Sequence, residues 1–374
     1  MSLPESAPTG GGMPPMDVAS RAERLRARLE QMGCDGVLVT NLVDVRYLTG
    51  FTGSAGLVLV TADELVIVTD GRYGEQAAEQ LRAASVGARL EVTGTGHREV
   101  IAGAARGLRR LGLQADHVTW AQQRAFAHEW FPGTELVPTE GLVEELRAVK
   151  DGGELARLSR AAAIADQALA SVRERLAEEP TEREFASELE YQMRRLGADG
   201  PSFETIVASG PNGAKPHARP SDRVIAEGDL VVLDFGALVD GYHSDMTRTV
   251  AVGEPSEVQQ RMLEVVTEAQ QRGVDAVRAG AAASEVDAVC RSVISAAGWA
   301  DAFLHGTGHG VGLEIHERPR VAATSDATLV AANVVTVEPG VYLPEHGGVR
   351  VEDTVVVLED GCRPLTHSPK HTSV

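Results

Sequence analysis

Cysteine is scarce in this chain of 374 residues: Cys34, Cys290 and Cys362 stand far apart, and no two form a CxxC. That argues against a disulfide framework or a zinc ribbon and fits reduced residues in a cytosolic protein. No apolar run approaches the ~20 residues needed to span a bilayer. The opening stretch, MSLPESAPTGGGMPPM, lacks the basic start and apolar core of a signal peptide. Its Gly, Pro and Ser content predicts a disordered tail over residues 1–16, and the expected location is the cytoplasm. Basic residues are the minority, with 35 Lys+Arg against 54 Asp+Glu and a net charge of −19. Such a chain repels phosphate backbones and anionic membranes, so neither nucleic acid nor membrane is an expected partner. Acidic helical faces that keep the protein soluble account for the charge. No short repeat of solenoid or propeller type is present.

What is there is an ordinary globular composition, 43% hydrophobic and 24% charged, long enough for two domains. From Asp17 to Val149 helical and strand patterns alternate, which predicts an α/β domain over 17–149. Helices are expected over Ala19–Gln31, Tyr73–Ala83 and Arg98–Leu111, and strands over Gly36–Thr40, Gly56–Thr61 and Leu65–Thr69. This half contains no clustered ligands or nucleophile motif, so it reads as structural or regulatory. Lys150-Asp151-Gly152-Gly153 marks the boundary to a second domain, 150–374. There a long helix is expected to end at Pro180, and Thr181/Glu184 and Ser256/Gln259 have capping-box spacing. Further helices are expected over Val258–Arg278 and Val286–Ala297, among antiparallel strands. Each half of this domain ends in strands that carry two acidic residues, giving an α+β class.

Those four acids, with one histidine, are the chemically informative residues. LVVLDFGALVDGYHSDMTRTVAVG reads as a hairpin closing at Asp240-Gly241, a favoured two-residue turn. That register sets Asp234 opposite Thr247, so Asp245 projects from the same face as a diagonal neighbour. An aspartate inside LVVLDFG is also poorly placed by propensity and, if buried, needs a cation or a strong partner. HGTGHGVGLEIHE holds His305, His309 and His316 among Gly306, Gly308, Gly310 and Gly312. Glycine at every second position bares the backbone for close approach, and the run is not a zincin helix. Glu338 ends the apolar strand VVTVEPG, and Glu352 sits in GGVRVEDTVVV. Oxygen ligands suit manganese or magnesium, and one imidazole widens the choice to cobalt, iron or zinc. Two such ions balance four carboxylates, lower the pKa of a water and polarise a carbonyl, which is the equipment of a hydrolase.

The chain resembles the pita-bread metallohydrolases, the family of creatinase, aminopeptidase P, prolidase and methionine aminopeptidase. The matching motifs are PNGAKPH at His217, LDFG at Asp234, GYHSDMTRT at Asp245, HGTGHGVGLEIHE at His309, VEPGVY at Glu338 and GGVRVEDT at Glu352. VRYLTGFTGSAG and TDGRY are similar to the creatinase-like N-terminal domain. The resemblance implies two divalent metals, manganese first and cobalt or zinc as alternatives. It implies Asp234 on one ion, His309 and Glu338 on the other, and Asp245 and Glu352 bridging both. It assigns Glu338 as proton shuttle as well, and His217 and His316 to the scissile carbonyl and the oxyanion. His305, Arg350 and Tyr342 are the implied substrate-binding residues.

Creatinase works without metals and some eukaryotic relatives are non-catalytic binding proteins, but both types have lost ligands that all stand here. His305, Arg350 and the N-terminal domain disfavour methionine aminopeptidase. Cleavage at Xaa-Pro in short proline-containing peptides is the expected activity. Proline lacks an N–H and fixes φ, so extended docking of the substrate strand fails and a dedicated pocket is needed. The expectation leans to an aminopeptidase acting on longer peptides, with the Xaa-Pro dipeptidase as alternative. Relatives are commonly homodimers.

Overall fold

The computed structural model describes residues 12–370 and 372–374, so residues 1–11 of the expected tail lie outside the described residues. Two compact units are present: Pro15–Arg147, and Ala148–Val374 together with residues 12–14. Of the remaining tail, Met13 packs against the core of the second unit and the Pro14 carbonyl accepts from Arg157 at 3.0 Å.

The first unit is a six-stranded sheet in the spatial order 89–92, 65–69, 57–61, 36–39, 110–114, 135–139. Gly36–Val39 lies inside it, antiparallel to Leu57–Thr61 and parallel to Arg110–Gln114, and is fully buried. The helix expected over Arg98–Leu111 is corrected in its second half. It runs His97–Ala104, the chain turns at Gly107 (φ 92°), and Arg110–Gln114 becomes an inner strand. Leu108 and Leu111 have helical spacing, but Leu111 and Leu113 alternate into the core, and strand pairing on both edges prevails. The helix Leu42–Thr49, capped by the Asn41 side chain and ended by Gly50, is absent from the sequence-based expectation.

The second unit consists of two halves, each with two helices packed on one face of a sheet that is antiparallel apart from the short carboxy-terminal strand. Asp151 and Glu154 form a capping box, so Gly152 and Gly153 open the helix Gly152–Val172 instead of breaking the chain. The boxes read at Thr181/Glu184 and Ser256/Gln259 both form, starting Glu182–Arg195 and Glu257–Ala276. Val231, Leu233 and Phe235 of the strand Leu230–Phe235 join the first pair of helices in one core. Val335, Val337, Val355 and Val357 join Glu257–Ala276 and Ala283–Ala296 in another. Side chains alternate along a strand, so the opposite faces are left to Asp234, Thr336, Glu338, Glu352 and Thr354. The same pattern that builds the cores delivers the acids to one place.

Candidate metal centre

Asp234 and Asp245 converge because their hairpin keeps the expected register. The chain reverses at Asp240 and Gly241, with φ of 46° and 72°, and Val239 pairs with Tyr242. The same register resumes at Phe235↔Met246 and puts Thr247 opposite Asp234. Glu352 stands in the short link between the strands Gly347–Arg350 and Asp353–Leu358. Carboxylate oxygens of Asp234, Asp245 and Glu352 lie within 4.8 Å of one another.

Glu338 lies one residue beyond the strand Val334–Val337. His309 sits between Gly308 and Gly310, where backbones approach closely: a Cβ on Gly308 would lie 2.0 Å from the Thr336 carbonyl oxygen. Gly308→Ala should therefore destabilise the protein by ~1–3 kcal/mol or more, read as a lower urea midpoint. An unchanged midpoint would show that the neighbouring strand yields without cost.

Burial dominates the electrostatics. It lifts the Asp245 carboxyl well above the usual range, with Glu352, Asp234 and Glu338 adding repulsion. It raises Glu352 in the same way and pushes Glu338 up to about 8, although Arg350 opposes the shift. His309 is driven down to about 4, first by burial, so its imidazole is neutral at pH 7. Its Nδ1 faces the Gly310 carbonyl at 3.0 Å, which places the ring proton there. The Nε2 lone pair then points at Glu338 Oε1 (3.4 Å) and Asp245 Oδ2 (3.6 Å). A lone pair against two carboxylates is repulsive unless a proton or a cation lies between them. Asp234 Oδ1 and Glu352 Oε1 are also buried with no hydrogen-bond partner among the described residues. Orphaned oxygens and an inward-facing imidazole nitrogen fit divalent cations.

The second oxygens are oriented by neighbours. Thr247 donates its hydroxyl to Glu352 Oε2 at 2.7 Å, and Thr336 donates to Glu338 Oε1 at 3.3 Å. Arg350, 3% exposed, donates to Asp234 Oδ2 (2.5 Å), the Tyr342 oxygen (2.8 Å) and Thr247 (3.1 Å). Tyr342 Oη lies 2.8 Å from His305 Nε2, and His305 Nδ1 lies 2.8 Å from the Gly306 carbonyl. With the His305 proton on Nδ1, donation runs from Arg350 to Tyr342 to His305. The three residues expected to bind substrate thus form one chain ending on Asp234. The His316 ring stacks edge-on to His309 with centroids 4.3 Å apart. His217 is exposed, in the loop whose Pro216 carbonyl accepts from Arg350.

Thr247 and Thr336 escape sequence reasoning, because threonine in a strand reads only as β-propensity. Contrary to the expectation of no clustered ligands in the first unit, Asp44, His117 and Glu144 lie together there. Both Asp44 oxygens are taken, by Arg147 at 2.8 Å and Gln114 at 2.5 Å, so that group is an ion-pair cluster.

Residues 156–359 match the model of metallopeptidase family M24, and residues 21–149 match the creatinase/prolidase N-terminal domain. The Xaa-Pro dipeptidase of Pyrococcus furiosus is 36% identical over 94% of this chain and 98% of its own length. A solved structure, the Xaa-Pro dipeptidase from Bacillus anthracis, is 42% identical with a TM-score of 0.92, covering 96% of this chain and all of that one. The X-Pro aminopeptidase from Thermotoga maritima is 34% identical with a TM-score of 0.86, over 95% of this chain and 100% of the other. The paired helix-and-sheet halves are those of the pita-bread fold expected from the motifs. Matched over both of its units, this hydrolase belongs to metallopeptidase family M24.

Proposed function

We propose that this metallopeptidase hydrolyses the Xaa-Pro bond of dipeptides with two divalent cations held by Asp234, Asp245, His309, Glu338 and Glu352. The observation that carries the metal reading is the orphaned pair Asp234 Oδ1 and Glu352 Oε1 beside the inward-facing His309 Nε2. When bound, such ions supply Lewis acidity toward a carbonyl and lower the pKa of a water. As the resemblance implies, Asp245 and Glu352 would be shared by the two ions, Asp234 would hold one of them, and His309 with Glu338 would hold the other. Glu338 also moves the proton, the role that the resemblance to the family implies for it. His316 and His217 donate to the carbonyl oxygen as it gains negative charge. Arg350 acts through Asp234 and Tyr342, and Tyr342 with His305 borders the substrate. The carboxylate-rich donor set favours manganese, with cobalt or zinc as alternatives. A cytoplasmic homodimer belongs to the same reading, and light scattering on the purified chain gives its assembly state.

Dipeptides are put first because the Bacillus anthracis and Pyrococcus furiosus proteins are named Xaa-Pro dipeptidases. The aminopeptidase reading rests on likeness to the Thermotoga maritima enzyme. Ala-Pro and Ala-Pro-Ala, compared after reconstitution with manganese, separate the two. Faster turnover of Ala-Pro is expected. Preference for Ala-Pro-Ala selects the aminopeptidase, and equal turnover of Met-Ala-Ser would overturn proline specificity.

A further inference from the structure

On the helix-facing side of the strand that follows Glu352 lies a buried polar hub built on Asp353, 2% exposed. Its Oδ1 accepts from Arg248 at 2.8 Å and from the Thr366 hydroxyl at 3.0 Å. Its Oδ2 accepts from Lys370 Nζ at 2.8 Å and from Gln270 at 3.1 Å. Arg248, 1% exposed, also donates to the main-chain carbonyls of Thr247, Glu352 and Ser368. Thr354 donates its hydroxyl to the Asp245 carbonyl at 2.8 Å, and its amide reaches Thr366 Oγ1 at 3.3 Å. Three members of the hub, Thr366, Ser368 and Lys370, belong to the carboxy-terminal segment. That segment is anchored on both sides. Asp166 accepts the amides of His367 and Ser368, and Thr372–Ser373 pairs in parallel with Val250–Ala251.

We propose that this segment, Leu365–Lys370, is a positioning element of the metal centre, acting through Lys370 and Ser368 on Asp353 and Arg248. The inference rests on the reading of Asp245 and Glu352 as metal ligands. Those two carboxylates sit beside strands of different sheets, whose main chains meet where the Glu352 amide donates to the Thr247 carbonyl at 3.1 Å. Arg248 ties the two strands together by holding the Thr247 and Glu352 carbonyls at once, and its own direction is set by Asp353 and the Ser368 carbonyl. Lys370 is one of two cations on Asp353. Without it, Asp353 keeps only Thr366 and Gln270 beside Arg248, draws Arg248 closer and loosens its hold on the Glu352 carbonyl.

The test uses the full-length chain, stripped of metal and titrated with Mn2+ by calorimetry, in wild type, Lys370→Met and Lys370→Arg. Lys370→Met keeps the aliphatic stem, and partners that orient metal ligands typically contribute ~10–100-fold in affinity. The Mn2+ Kd is expected to rise by about that factor while the metal-free Tm moves little. Lys370→Arg should return the Kd toward wild type. His367→Ala, which keeps the anchoring amide and alters only an exposed side chain, should leave it unchanged. A Lys370→Met Kd within about twofold of wild type, or a collapse of its metal-free Tm, overturns the positioning role. A wild-type chain that binds neither Mn2+, Co2+ nor Zn2+ overturns the ligand reading instead.

Discussion

Stripping the metal from the loaded protein with a chelator is expected to abolish peptide hydrolysis and to lower the Tm, more at pH 8 than at pH 6. Ligands that bind only the native state stabilise it, by about 2.7 kcal/mol at a hundredfold excess over Kd. For a chain of this size that amounts to a Tm shift of roughly several degrees. The pH dependence comes from the carboxylates. In the metal-free fold burial raises Glu338 to about 8, against 4.5 for the ordinary side chain. The folded state then holds the proton more tightly than the unfolded state. The resulting stability is complete below pH 4.5 and is lost as pH climbs through 8. Asp245 and Glu352 shift in the same direction. The metal-free protein should therefore weaken between pH 6 and 8, whereas bound cations replace the protons and remove that dependence. Melting curves with and without chelator at the two pH values check this. A fully active metal-free protein would sink the metal reading, and an equal Tm drop at both pH values would sink the carboxylate account.

Legibility in the sequence follows the range of the interactions. The Asp240-Gly241 turn is local chemistry, and the register Asp234↔Thr247 follows from it by counting residues outward from the turn. The capping boxes at Thr181 and Ser256 are local too, and both form. Arg110–Gln114 is hidden because its character as a strand depends on neighbours at Gly36–Val39 and Glu135–Thr139, far away in sequence. Asp151 shows the converse: glycines at 152 and 153 suggest a break, yet a good cap outweighs them. In the candidate site the charged and glycine-flanked residues stand out as types. Thr247, Arg248 and Asp353 do not, since their roles exist only through partners about a hundred residues away.

Glu338→Ala and His316→Ala should fail differently, although both lie in the same group of motifs. Glu338 is assigned as ligand and proton carrier, and its Oε1 lies 3.4 Å from His309 Nε2. Its removal should lose metal and nearly all turnover. His316 is exposed and touches the centre through its ring, 4.3 Å from that of His309, without entering the carboxylate cluster. As a donor to the developing oxyanion it should contribute ~10²–10³ in kcat, or ~3–4 kcal/mol of barrier. His316→Ala is therefore expected to keep normal metal content and a near-normal Tm while kcat falls by that factor. Were His316 a packing residue, the Tm would drop and the folded fraction would turn over normally. Its exposure speaks against that, because little apolar contact would be lost. Metal content, Tm and kcat measured on one preparation separate the cases. Loss of one metal equivalent in His316→Ala would mean that His316, rather than His309, completes the coordination.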